Sequence, residues 1–67
     1  MMGYLLDVLL NDGRLCRHEF PAKGGIWDHY SQYQREIDAG YFARVVVYKW
    51  SRRDELWFKV ASYPMEH

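Results

Sequence analysis

The sequence predicts a single α+β domain spanning residues 1–67, of ββαββ order, with one helix over one face of an antiparallel-dominated four-stranded sheet. Three observations predict it. An Asp-Gly turn separates two strand-like runs, a helical apolar stripe follows, and two β-branched and aromatic runs end the chain. The pattern leaves the order of the strands in the sheet open.

The first two strands are predicted at about residues 4–10 and 14–20. Between them, Asp12-Gly13 is a strong hairpin signal because such turns need left-handed backbone conformations. Pro21 ends the second strand since proline has no amide hydrogen to donate. These runs therefore form the first hairpin.

Two registers of the first hairpin are open. A two-residue loop pairs Leu10 with Leu15. A three-residue loop with a left-handed glycine pairs Leu9 with Leu15 instead, and it places Asp7 opposite Arg17 as an opposite-charge pair. We favour the second register because the buried face determines strand pairing. It collects these side chains on one face: Tyr4, Leu6, Val8, Cys16, His18 and Phe20.

A helix is predicted at about residues 25–39. Apolar side chains recur at helical spacing and form one stripe, which Trp27 widens. The stripe consists of Ile26, Tyr30, Tyr33 and Ile37. Gly40 is placed to end the helix in a left-handed conformation. The stripe should face the sheet.

The last two strands are predicted at about residues 41–50 and 56–63, with residues 51–54 as a four-residue loop that places Trp50 opposite Glu55. This register sorts the side chains into two faces. The face expected under the helix carries Val45, Val47, Leu56, Phe58 and Val60. The opposite face carries Phe42, Arg44, Val46, Tyr48, Trp50, Trp57, Lys59 and Tyr63.

This second, aromatic face is the predicted interaction surface. One helix covers one side of the sheet, so the other side meets water or a partner, and large apolar surfaces commonly mark interaction sites. The expected interface residues are Arg44, Tyr48, Trp50, Trp57, Lys59 and Tyr63. The alternative is that these rings stabilise the sheet itself through cross-strand pairs.

Chain length also favours association. A chain of 67 residues buries a small core, and its one cysteine allows no intrachain disulfide. Twelve aromatic residues supply large apolar side chains for a core or an interface. We therefore expect a homodimer, or a complex with a protein partner.

Charge and composition limit the function classes. Nine basic residues balance nine acidic ones, which argues against general attraction to nucleic acid or membranes. No apolar run reaches a membrane span and no secretory leader is evident, so a cytoplasmic location without membrane association is expected. The favoured hypothesis is a non-enzymatic protein-interaction module, such as a regulator or inhibitor. The alternative is a single-stranded nucleic-acid-binding module, because residues 40–63 carry a local charge of +3.

Reactive residues are few. Cys16 and His18 share a strand face, but His29 and His67 do not complete a known zinc spacing, so neither metal nor cofactor is expected. Cys16 is interpreted as a small core residue and His18 as an imidazole at the sheet rim. The segment before the helix, at residues 23–25, is interpreted as a connector. No catalytic residues are predicted.

Overall fold

The computed structural model describes residues 2–21 and 24–65 and contains one sheet and one helix. The elements are β1 (Met2–Leu9), β2 (Leu15–Pro21), α1 (Ile26–Asp38), β3 (Arg44–Ser51) and β4 (Leu56–Tyr63). The strands lie in the order β2-β1-β3-β4, and each neighbouring pair is antiparallel. The predicted ββαββ α+β fold is confirmed. The helix of the described ranges is too short and too polar to cross a membrane.

The core lies between α1 and the two central strands. Strand β1 pairs with β3 after the helix, which places Leu6 opposite Val47 and Val8 opposite Val45. These four side chains and Ile26 are fully buried and form one cluster. The helix therefore covers β1 and β3.

The first hairpin has the three-residue loop that we favoured. Leu9 pairs with Leu15, and Gly13 has a positive φ of 91°. Cys16 lies opposite Val8, as predicted, but its side chain is exposed. The expectation of a core cysteine was wrong because β2 is an edge strand, beyond the strands that α1 covers. His18 is exposed on the same strand.

The helix presents its predicted stripe to the sheet. Ile26 is buried, and the three other stripe residues are partly buried against the core: Tyr30, Tyr33 and Ile37. At the end of α1, the Gly40 amide donates to the Ile37 carbonyl and the Tyr41 amide donates to the Glu36 carbonyl, both within 3.0 Å. This is a Schellman motif with a left-handed Gly40 at φ 91°.

The second hairpin differs in register from the prediction. Its loop comprises residues 52–55, one position later than predicted, and Trp50 pairs with Trp57 rather than with Glu55. Glu55 ends the loop with a positive φ of 53°. Two residues further from the loop on each strand, Tyr48 pairs with Lys59.

A β-bulge interrupts β4. Tyr48 pairs with Lys59 but Val47 pairs with Ala61, so Val60 is an extra residue without a partner on β3. The extra residue reverses the alternation of side chains beyond it. Tyr63 consequently lies on the helix side, opposite Val45, and its predicted place on the opposite face was wrong.

Two further face assignments need correction. Phe42 precedes β3 and packs against Tyr33 of the helix, with ring centroids 5.5 Å apart, rather than on the opposite face. Leu56, Phe58 and Val60 were expected beneath the helix but are exposed. The cause is that β4 is the second edge strand and lies beyond the helix.

Candidate interaction surface

The side of the sheet opposite α1 carries a mixed aromatic and charged surface, which we call the outer sheet face. Its side chains alternate with those of the core, so residues from all four strands contribute. Within residues 2–21 and 24–65, the single helix lies on the other side of the sheet. The outer sheet face comprises Leu5, Asp7, Leu9, Leu15, Arg17, Glu19, Arg44, Val46, Tyr48, Trp50, Trp57, Lys59 and Ser62.

Two tryptophans stand side by side at the end of this surface nearest the second loop. Trp50 and Trp57 are cross-strand partners, with ring centroids 5.2 Å apart and planes inclined by 60°. Both side chains are half-buried. Contacts of this kind stabilise an antiparallel pair and hold both rings in place.

The centre of the outer sheet face is apolar. Tyr48 lies between Leu5 of β1 and Lys59 of β4. Leu5 is only 5% exposed, although no element covers it in the described part of the chain. Neighbouring side chains on the same face therefore shield it, and the surface is closely packed before any partner binds.

An ion pair lies beside this apolar centre. The Arg17 guanidinium donates from Nε to Asp7 Oδ1 at 2.8 Å and from Nη2 to Asp7 Oδ2 at 2.9 Å. Asp7 is 5% exposed, whereas Arg17 lies largely in solvent. The hydrogen bonds and the charge of Asp7 raise the pKa of Arg17 above its ordinary value. The pair makes this part of the surface electrically neutral at neutral pH.

Arg44 is tied to the end of β4. Its Nη1 donates to Ser62 Oγ at 2.9 Å and to the Pro64 carbonyl at 2.6 Å. These bonds fix the guanidinium at the rim of the outer sheet face. Arg44 thus helps to anchor the segment that follows β4.

The structure brings most of the predicted site together. Five of the six predicted residues lie on the outer sheet face: Arg44, Tyr48, Trp50, Trp57 and Lys59. Tyr63 does not, because its hydroxyl donates to Asp38 at the end of the helix. That hydrogen bond, with burial and the carboxylate charge, raises the pKa of Tyr63 above its usual 10.0.

Sequence reasoning did not assign Leu5, Asp7 and Arg17 to this surface. The signal was present, since the favoured hairpin register placed Asp7 and Arg17 on the face opposite the core. What was missing was the pairing of β1 with β3, which makes the two hairpins share one surface.

The described residues bring no three His, Cys, Asp or Glu side chains together as a metal site, and His67 lies outside them. An open groove of about 360 Å³ lies beside β4, lined by Lys59, Val60, Ala61, Ser62 and Met65. It contains neither Cys16 nor a histidine.

Comparison of the chain with protein-family models, with curated proteins and with solved structures found no match.

Proposed function

We propose that this protein is a small non-enzymatic interaction module that binds a protein through its outer sheet face. The observation that carries the proposal is an apolar, aromatic sheet surface for which the described chain provides no covering layer. Sheets in stable domains normally bury both faces or present a polar one to water. Here the surface opposite the core is aromatic at its centre.

The composition of the surface fits protein recognition. Tyr48, Trp50 and Trp57 belong to the residue types that contribute most binding energy at protein interfaces. They are half-buried and held by cross-strand neighbours, so little side-chain freedom remains to be lost on binding. Arg44 and Lys59 flank them as polar groups at the rim.

The surface is less suited to single-stranded nucleic acid. Arg17 is neutralised by Asp7, and Glu19 adds a negative charge on the neighbouring row. The tryptophan rings also contact each other, which reduces the area open to a stacked base. We therefore keep nucleic-acid binding as an outcome of the test rather than as a second proposal.

A reducing compartment, the cytoplasm, is part of the proposal. Cys16 is the one cysteine of the chain and is exposed on edge strand β2. An exposed unpaired thiol stays reduced in the cytoplasm, whereas an oxidising compartment would oxidise it.

The indole N–H groups provide a direct test of self-association. Trp50 and Trp57 lie on the outer sheet face, whereas Trp27 lies on the helix and serves as an internal control. In NMR spectra over a concentration series, face-to-face association should move the first two indole signals and leave the third in place. Tyr48→Glu should abolish these shifts, and Tyr41→Glu, at an exposed position outside the surface, should not.

A different protein partner is tested with the same two variants. The wild type and both variants are immobilised and exposed to a cell extract. Proteins that bind the wild type and Tyr41→Glu but not Tyr48→Glu are purified and titrated into the isotope-labelled wild type. Binding should again move the Trp50 and Trp57 signals. The proposal is overturned if these signals respond neither to concentration nor to any protein so retained. Their response to an oligonucleotide at low salt, reversed by added salt, would favour nucleic acid instead.

A further inference from the structure

Strand β4 leaves large apolar side chains exposed on the side of the sheet opposite the outer sheet face. Leu56 is 55% exposed and Phe58 is 47% exposed. Both lie on the helix side of the sheet, since Phe58 pairs with Lys49, the partner of Tyr4. The helix covers β1 and β3, so β4 keeps an apolar side that α1 does not reach.

The two edges of the sheet differ in character. Strand β2 carries Arg17, His18 and Glu19 in succession and ends at Pro21, features that protect an edge from further pairing. Strand β4 runs for eight residues with Lys59 as its one charged side chain. β4 is the last strand of the sheet, so no strand of the described residues lies along its outward edge. Residues 56–58, which precede Lys59 and the bulge, present there the backbone groups to which another strand can pair.

The sequence of β4 indicates which strand that is. Residues 55–59 read Glu-Leu-Trp-Phe-Lys, which is self-complementary in an antiparallel arrangement about Trp57. Turned about a two-fold axis at Trp57, the loop end at Glu55 of each copy comes beside Lys59 of the other, so opposite charges meet at both ends of the paired segment. The same rotation places Leu56 of each copy against Phe58 of the other.

We propose that β4 pairs antiparallel with β4 of a second copy of this chain, about a two-fold axis at Trp57. The partner is thus the chain itself, and the product is one continuous eight-stranded sheet. The exposed Leu56 and Phe58 then cover each other across the axis on the helix side. The proposal does not require the outer sheet face to bind anything.

Neighbouring registers are less favourable. An axis at Lys59 opposes two lysines directly, which destabilises antiparallel pairs. An axis at Phe58 pairs Leu56 with Val60, the extra residue of the bulge, where the regular ladder is interrupted. The axis at Trp57 keeps the regular pairing within residues 56–58, between the left-handed Glu55 and the bulge.

The dimer also changes the size of the outer sheet face. Over the six residues along which β1 and β3 pair, four strands about 4.8 Å apart, at roughly 3.3 Å per residue, form a plane of about 400 Å². A standard interface takes about 800 Å² from each partner. Joining two copies edge to edge brings the two surfaces together and approaches that area.

Sedimentation equilibrium of the full chain tests the proposal with a matched control. Leu56→Lys should weaken the dimer at least tenfold because it places cations at the pairing edge. Leu15→Lys makes the same change at a leucine of nearly equal exposure, 56%, on edge strand β2 and should leave the dimer unchanged. Circular dichroism establishes that both variants fold.

Charge reversal distinguishes specific strand pairing from nonspecific hydrophobic association. Glu55→Lys and Lys59→Glu should each weaken the dimer, since each places like charges opposite one another. The double variant, with both changes, should restore it. Amide protection of residues 56–59 should rise with protein concentration in the wild type.

Three results would overturn the proposal. One is a monomer at every concentration studied. Another is a dimer equally sensitive to Leu15→Lys and Leu56→Lys. The third is a dimer that survives Leu56→Lys but is lost with Tyr48→Glu, which would place the contact on the outer sheet face and support the proposed function alone.

Discussion

Asp7 and Arg17 form a two-pronged ion pair in which the carboxylate is buried and the guanidinium is largely exposed. The carboxylate lies on a central strand, beside Val46 and opposite the core. A charge so placed depends on its partner, because burial removes the water that would otherwise stabilise it. The pair therefore fixes a charged group beside the apolar centre of the outer sheet face.

Removing the guanidinium should show this dependence. Arg17→Met leaves the buried Asp7 carboxylate without its two hydrogen bonds and should lower Tm by more than about 5 °C. Arg14→Met is the matched control, because it removes a guanidinium from an ion pair in which both partners are exposed. There, Arg14 Nε lies 2.7 Å from Asp12 Oδ2. Exposed pairs contribute little, so this control should change stability by less than about 0.5 kcal/mol. Equal losses of Tm in both variants would contradict the argument.

The hydrogen bond from Tyr63 to Asp38 predicts a pH dependence. Because it raises the pKa of Tyr63 above 10.0, the bond's contribution to stability is fully present below pH 10. The contribution is lost as the pH rises through the raised pKa, where the phenol no longer has a proton to donate. Thermal unfolding on either side of this range should show the loss in the wild type.

Difference titrations identify the group. The ultraviolet absorbance of phenolate, measured for the wild type minus Tyr63→Phe, should give a midpoint above that of free tyrosine. Asp38→Asn keeps a hydrogen-bond acceptor but removes the charge, and should lower the midpoint. A wild-type midpoint at the ordinary tyrosine value would show that the bond does not persist in solution.

The paired tryptophans should be energetically coupled. A double-mutant cycle with Trp50→Leu and Trp57→Leu, followed by chemical denaturation, should give a coupling of about 0.5–1.5 kcal/mol. A cycle between Trp50 and Trp27, which lie on opposite sides of the sheet, should give a coupling near zero. A coupling near zero for the first cycle would mean that the rings do not pack together in solution. The measurement uses dilute protein so that association does not contribute.

The first half of the fold follows from local signals. The Asp-Gly turn locates the first hairpin, the buried face selects its register, and the apolar stripe with Gly40 locates the helix. The order of the strands does not follow from local signals, because the pairing of β1 with β3 joins segments that the whole helix separates. Non-local pairing leaves no short-range pattern in either strand.

The outer sheet face was predictable for a specific reason. The predicted and observed registers of the second hairpin differ by two residues, and side chains alternate with a period of two. Trp57 and Lys59 therefore stay on the expected face despite the wrong register. The bulge at Val60 reverses the alternation beyond it, which is why the predicted face of Tyr63 was wrong. Neither the bulge nor the left-handed Glu55 has a glycine to indicate it.

The exposure of β4 could not be read from its sequence. Leu56 and Phe58 have the character of buried strand residues. A helix is about 10 Å across, so it covers roughly two strands spaced 4.8 Å apart. Which two strands it covers depends on the order of the sheet, and this order places β4 beyond the helix.

The end of α1 gives a prediction about backbone conformation. Gly40 has a φ of 91°, and a Cβ added there would meet no atom within 4 Å. Gly40→Ala should therefore cost about 1–2 kcal/mol through backbone strain alone. Gly40→Asn should cost less, because asparagine tolerates the left-handed region better than alanine.

Gly25→Ala is the control for that series. Gly25 precedes the helix with a φ of −75°, and its added Cβ would lie 3.6 Å from Asp28 Oδ2, an ordinary contact. Gly25 is the N-cap of α1, where alanine is less favourable than glycine, so this change should lower the free energy of unfolding by about 0.5 kcal/mol in chemical denaturation, less than Gly40→Ala. The loss of free energy of unfolding should be largest for Gly40→Ala, smaller for Gly40→Asn and smallest for Gly25→Ala. Equal stability of the two position-40 variants would show that crowding, and not the left-handed backbone, sets the cost.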